Sequence, residues 1–260
     1  MQKWQCERGG ELNIGLVIIG TELLTGKRSD GHMAKAIELL RARGLEMSWT
    51  TYLGDSETRL TNTLRQAMTA GDLVFSFGGI GATPDDLTRA CAAAAAGCPL
   101  ERHVEAAQVI EERFGVDAYP QRIHMAHLPK GACLIPNPVN RIAGFSVGHV
   151  HFVPGFPAMA WPMMEWVLDT HYAYLRPEQA PVETLICLPG VSEGQIMDVM
   201  QRFVVAFPDL GLSCLPSMKG DYRETELGVR GQPDAVRLGV DWLTSALAND
   251  GFEFQLRDTV

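Results

Sequence analysis

The sequence predicts a three-layer α/β domain with a mostly parallel sheet, followed by a small α+β domain. Three observations carry this reading. Short apolar runs ending in glycine alternate with helical patterns through residue 96. A polar, proline-rich stretch, Arg176-Pro-Glu-Gln-Ala-Pro181, interrupts the chain. Beyond it, strand and helix patterns restart in an order of their own.

Residues 1–12 read as a polar tail with no apolar core region, which argues against a signal peptide. The run Asn13-Ile-Gly-Leu-Val-Ile-Ile-Gly20 is apolar on both faces, as strands inside parallel sheets are. Residues 31–43 follow with helical spacing: Met33, Ala36, Ile37 and Leu40 share a face, and Gly44 ends the helix. Residues 46–53 form the second strand, and Asp55 or Ser56 caps a helix over 57–70 with Leu60, Leu64 and Ala67 inward. The strand at 73–77 and a helix over 85–96 come next. The alternation β-α-β-α-β-α implies parallel strands with helices on both faces. A helix over 101–114, a turn-rich segment to 131, short strands near 132–136, 144–147 and 149–153, and a helix over 157–173 complete a domain spanning 13–175. After a linker at 176–182, the second domain (183–256) reads strand (183–188), helix (191–206), strands (211–216, 223–230) and helix (233–247).

Composition bounds the function. Among 260 residues, 46% are hydrophobic and 20% charged, enough apolar content for real cores. The net charge is −9 with no basic stripe, so nucleic acid is an unlikely partner. The second domain agrees, with no basic cluster and no clear Gly-x-x-Gly clamp between helices. No run is long and apolar enough for a membrane span, so no membrane role is expected. The cysteines at 6, 91, 98, 133, 187 and 214 form no Cys-x-x-Cys pair, which suits a reducing cytoplasm better than disulfides or zinc. The pairs His124/His127 and His149/His151 lack a third ligand and read as structural.

The chemistry concentrates in Ser76-Phe-Gly-Gly-Ile-Gly-Ala-Thr-Pro-Asp-Asp-Leu-Thr88. A buried strand runs into three glycines, then into residues that open a helix. Gly78, Gly79, Gly81 and Thr83 make an anion site of the kind that binds phosphate at a helix N-terminus. The acids just inside suggest a metal shared with the ligand. Asp55 and Glu22 stand at the ends of two other strands, so Glu22, Asp55 and Asp86 together suit Mg²⁺ or another divalent cation. Gly20-Thr21-Glu22-Leu-Leu-Thr-Gly26-Lys27-Arg28 approaches a P-loop and fails it: Thr21 stands where glycine is needed and Arg28 where Ser or Thr is needed. Gly20, Thr21 and Glu22 remain ligand-binding candidates at a strand end. Asn137 and Arg141, in Pro136-Asn-Pro-Val-Asn-Arg141, and Gly155, in Pro154-Gly-Phe-Pro157, complete the set, with Arg141 a partner for phosphate.

These motifs, in this order, resemble the molybdopterin-binding (MoCF) domain of the competence/damage-inducible protein A (CinA) family over about residues 14–172. Residues 183–250 resemble, more weakly, that family's small KH-like domain. The C-terminal amidase domain that some members carry is expected to be absent. The resemblance implies a ligand that is a pterin or a nucleotide pyrophosphate, molybdopterin-like or ADP-ribose-like. It further implies either adenylylation of the pterin or metal-dependent hydrolysis of the phosphoanhydride, and a homo-oligomer. By the same resemblance, Asp55 and Asp86 are the aspartates that matter for catalysis. A carrier that binds the same ligand without chemistry is the alternative. Two segments depart from the family pattern, Asp30-Gly-His32 and Asn140-Arg-Ile-Ala-Gly144.

Overall fold

The computed structural model describes residues 12–219 and 222–258. The polar tail therefore lies, apart from Leu12, outside the described residues. The chain divides into two units, Met1–Arg176 and Pro177–Val260.

The first unit is built on a six-stranded sheet of order β2-β1-β3-β8-β7-β6. Strands β1 (Ile14–Ile19), β2 (Trp49–Leu53) and β3 (Leu73–Phe77) run parallel, and β8 (Val150–Val153) joins β3 in parallel. β7 (Gly144–Val147) and β6 (Cys133–Ile135) extend the sheet antiparallel. Every residue of β1 and β3 is buried, Ser76 of β3 included, as expected of nearly wholly apolar strands inside a parallel sheet. One face packs on α3 (Glu57–Ala70), α4 (Thr88–Ala96) and α5 (Val104–Phe114) through Leu60, Leu64, Cys91, Ala107 and Ile110. The other packs on α2 (His32–Arg41) and α6 (Pro157–His171) through Ala36, Leu39, Leu40, Met163 and Val167. A four-residue helix, α1 (Thr21–Leu24), follows β1. β4 (Leu100–Arg102) and β5 (His127–Pro129) form a separate two-stranded ribbon.

Three local expectations need correction. The helix after the glycine turn starts at Thr88, not at residue 85. Asp86 takes the Thr83 N–H on its own side chain, and the Asp86 N–H goes to Thr83 O, so Pro84-Asp-Asp closes a turn ahead of the helix. On α2 the buried face is His32, Ala36, Leu39 and Leu40, whereas Met33 and Ile37 are half-buried. Residues 101–102 belong to exposed β4 rather than to the helix, which begins at Val104 with the His103 ring accepting the Ala106 N–H.

The second unit is a small α+β domain. Its sheet, of order β10-β11-β9-β12, is antiparallel throughout. The connectivity is β9 (Val182–Pro189), α7 (Met197–Ala206), β10 (Gly211–Lys219), β11 (Tyr222–Gly231), α8 (Pro233–Asn249) and β12 (Gln255–Asp258), which makes a split βαβ arrangement. Ile186, Leu188, Leu227 and Val229 of the sheet meet Phe203 of α7 and Leu243 and Leu247 of α8. β12 has no counterpart in the sequence reading. A Gly-x-x-Gly run does occur here, Gly228-Val-Arg-Gly231, but it lies inside β11, paired with Val182–Leu185, and presents no clamp loop.

Four parallel strands place their carboxyl ends on one edge of the first unit. Ile19, Leu53, Phe77 and Val153 are the last residues of β1, β2, β3 and β8. Glycine or proline follows each, at Gly20, Gly54, Gly78 and Pro154. In open parallel sheets this is the edge where ligands bind.

Candidate functional site

A cleft of about 530 Å³ opens at that edge. It is large enough for a nucleotide-sized ligand. Gly20, Glu22, Asp55, Gly78, Gly79, Gly81, Thr83, Asp86, Asn137 and Gly155 all line it. Of the predicted set, Thr21 stands behind Asp55, and Arg141 lies outside the lining.

The glycine turn is the floor. Gly78 has φ +100 and Gly79 φ +68, in the left-handed region that favours glycine. A Cβ on Gly78 would stand 2.7 Å from Ile19 O, and one on Gly79 would stand 2.2 Å from Thr88 Oγ1. The turn is pinned from below: Gly78 N–H donates to Val153 O (3.0 Å), Thr88 N–H to Gly79 O (3.0 Å), and the buried Thr88 hydroxyl to Gly78 O (3.0 Å). By contrast, the backbone N–H groups of Gly79, Ile80, Gly81 and Ala82 have no intramolecular acceptor among the described residues. Consecutive free N–H groups beside left-handed residues form an anion-binding concavity. These N–H groups all belong to the turn itself. The first N–H of α4 is spent on Gly79 O.

Two aspartates are held in matching ways. Asp55 Oδ2 accepts from the Thr21 hydroxyl (2.7 Å) and the Thr21 N–H (3.2 Å). Asp86 Oδ2 accepts from the Thr83 hydroxyl (2.5 Å) and the Thr83 N–H (2.8 Å). Each threonine fixes one carboxylate oxygen and leaves Oδ1 without a protein donor among the described residues. Thr21 thus acts through Asp55 rather than on a ligand. Among the described residues, no group of three or more His, Cys, Asp or Glu side chains could hold a metal ion. The donor set fits Mg²⁺ in its usual protein mode, with one or two carboxylates and the remaining ligands from water and phosphate. It does not fit an all-protein cage.

Behind the turn lies Arg89, which the sequence reading missed. It is buried, with 9% of its surface exposed. Nη2 donates to Gly81 O (2.7 Å), and Nη1 to His124 O and His127 O. Nε is buried without a partner. Burial pushes its pKa down from the ordinary arginine value, and the Asp86 carboxylate pulls it back up. The guanidinium ties the glycine turn to the segment 122–127, whose Met125 forms part of an apolar wall with Ile80, Phe114 and Ile142. Nothing in the sequence flags that wall, because its residues come from distant segments.

The two departures from the family pattern have structural roles here. Asp30 caps α2, accepting from His32 N–H (2.8 Å) and Met33 N–H (3.0 Å), and Tyr52 OH donates to it (2.8 Å). Buried His32 stacks on Phe77 and places Nε2 3.1 Å from Gly155 O. Trp161 Nε1–H donates to Nδ1 (3.3 Å), so the neutral Nε2–H tautomer satisfies both neighbours. Burial pushes the His32 pKa down, which favours that form. Asn137 is buried and braces its own loop: Nδ2 donates to Ile142 O (3.0 Å) and Oδ1 accepts from Val139 N–H (3.0 Å). Arg141 takes φ +66 and turns its guanidinium to Glu112 (3.2 Å), away from the phosphate role expected of it.

A family model described as "Probable molybdopterin binding domain" matches residues 15–173, which include every residue of this cleft. The chain belongs to this family. A CinA-like protein of Anaeromyxobacter dehalogenans is 33% identical over 198 residues, 73% of this chain and 48% of that protein. A CinA-like protein of Desulfovibrio desulfuricans is 32% identical over 156 residues, 58% of this chain and 37% of that one. This member of the family thus spans about half the length, or less, of these curated relatives that it matches. The crystal structure of CinA from Thermoplasma acidophilum, described as of unknown function, superposes with a TM-score of 0.55 at 28% identity. It covers 60% of this chain and 97% of that one. No helix among the described residues is long and apolar enough to cross a membrane.

Proposed function

We propose that the cleft binds a pyrophosphate-bearing pterin or nucleotide and acts on its phosphoanhydride, by metal-dependent hydrolysis or nucleotidyl transfer. The free N–H groups of residues 79–82 carry this reading, since successive unpaired donors in a glycine turn suit phosphate oxygens. The apolar wall of Ile80, Phe114, Met125 and Ile142 suits the ring of a pterin or base. Asp55 and Asp86, each with Oδ1 free, would hold a divalent cation against the phosphates, with water and phosphate supplying the remaining ligands; Glu22, expected as a third acid, does not join them in a three-acid group among the described residues. Such an ion neutralises charge developing on the phosphoryl oxygens. The chain itself would position phosphate on the turn and orient the attacking group beside the two aspartates.

The test is incubation with ADP-ribose and Mg²⁺, Mn²⁺ or Co²⁺, with AMP as the product sought. Wild-type protein should release AMP. Asp86→Ala should lose that activity while keeping its fold by circular dichroism, and full activity in the variant would sink the mechanism. A second reading, a carrier that binds without chemistry, is favoured by the lack of a preformed three-acid metal group among the described residues. Ligand-induced thermal stabilisation without product would select it.

A further inference from the structure

We infer that Arg28 is the anion anchor of this cleft and makes it select ligands with two linked phosphates over monophosphates. The inference rests on the phosphate-ligand reading above and adds to it the residue that sets the ligand class.

The lining is electrostatically lopsided. Glu22, Asp55, Asp85 and Asp86 bring four carboxylates to it, and Arg28 is its one basic side chain. The N–H groups of the glycine turn are dipoles enough for one phosphate. A second phosphate would face carboxylates unless it also met a cation.

Arg28 is placed for that. Lys27 N–H (2.9 Å) and Arg28 N–H (3.2 Å) both donate to Glu22 O, folding the loop after α1 back onto the strand end. Arg28 is exposed and lines the cleft, and its side chain makes no ion pair or hydrogen bond among the described residues. Even Glu22, in the same loop, does not neutralise it. The cleft's other arginine, Arg89, is buried behind the turn and committed to carbonyl oxygens. An unpaired guanidinium offers a planar fork that matches a phosphate with two parallel hydrogen bonds. A monophosphate seated on the turn has no need of it, whereas a pyrophosphate reaching past the turn does.

The test uses Arg28→Gln, Arg28→Lys and, as a control outside the lining, Lys27→Gln. Binding of ADP-ribose, inorganic pyrophosphate and AMP is measured with Mg²⁺ by calorimetry. Arg28→Gln should weaken ADP-ribose and pyrophosphate about tenfold or more, the size of one lost charge-assisted contact. AMP should change less than about threefold. Arg28→Lys should recover part of the loss, and Lys27→Gln should bind as wild type. Unchanged pyrophosphate binding in Arg28→Gln would overturn the inference alone. An equal loss for AMP, or an equal loss in Lys27→Gln, would also overturn it, because either would reduce the effect to net charge. No binding of any probe by the wild-type protein would overturn both the inference and the proposed function. Arg28 is exposed, so unliganded melting temperatures should match across the set.

Discussion

Gly79 and Gly97 form a natural experiment on the glycine turn. Their φ angles are nearly identical, +68 and +67, so alanine at either position enters the left-handed region at a cost of about 1–2 kcal/mol. Their surroundings differ. A Cβ at Gly97, past the end of α4, meets nothing within 4 Å. A Cβ at Gly79 meets Thr88 Oγ1 at 2.2 Å and Thr88 Cβ at 3.2 Å. Thr88 is fully buried and its hydroxyl donates to Gly78 O, so it cannot swing aside without breaking that bond. The lost buried hydrogen bond costs about 1–3 kcal/mol, and the overpacking about 1–3 kcal/mol more. Gly79→Ala should therefore be less stable than Gly97→Ala by roughly 2–6 kcal/mol on those two terms. Urea unfolding followed by tryptophan fluorescence measures this, since Trp49, Trp161 and Trp166 all lie in the first unit. A difference below about 1 kcal/mol would show that the turn moves away from Thr88 at little cost, and the rigid cradle argued here would not exist.

Other outcomes follow from the same contacts. Arg89→Ala should lose about 2–4 kcal/mol in urea, because it removes the charged, part-buried hydrogen bonds that tie Gly81 O to the segment 122–127. Arg141→Ala should leave ligand affinity within about twofold and stability within about 1 kcal/mol, since its partner Glu112 is exposed and outside the cleft. Buried His151, between Ser146 Oγ and Tyr172 OH at 2.8 Å each, has its pKa pushed down to about 3 by burial and by neighbouring His171 and His149. The unfolded chain therefore binds the proton first. Stability is full above about pH 6.5 and falls by up to about 1.4 kcal/mol per unit as pH drops from there toward 3. His151→Gln should flatten urea stability against pH by about one proton over that window, and an unchanged slope would refute the assignment. His32, also depressed by burial, adds to the slope in the same direction.

The sequence by itself determined the layered fold and most of the residues that gather at its cleft. Short, mostly apolar runs such as Leu73–Phe77, ended by glycine, read as strands buried on both faces, and α3 (Glu57–Ala70) follows from its spacing. Glycines after strands forecast the edge where the cleft opens, and at Gly78 and Gly79 the left-handed backbone needs them. The tertiary structure decided what each residue does at that edge. Hydrogen-bond partners depend on which distant groups come within reach, and spacing along the chain carries no record of that. So Thr21 became the clasp of Asp55, Arg141 turned to Glu112, and Asn137 closed its own loop. Arg89, in an alanine-rich helix, became the buried tie beneath the turn. The turn keeps its N–H groups at 79–82 free because strand β8 and Thr88 satisfy their neighbours instead.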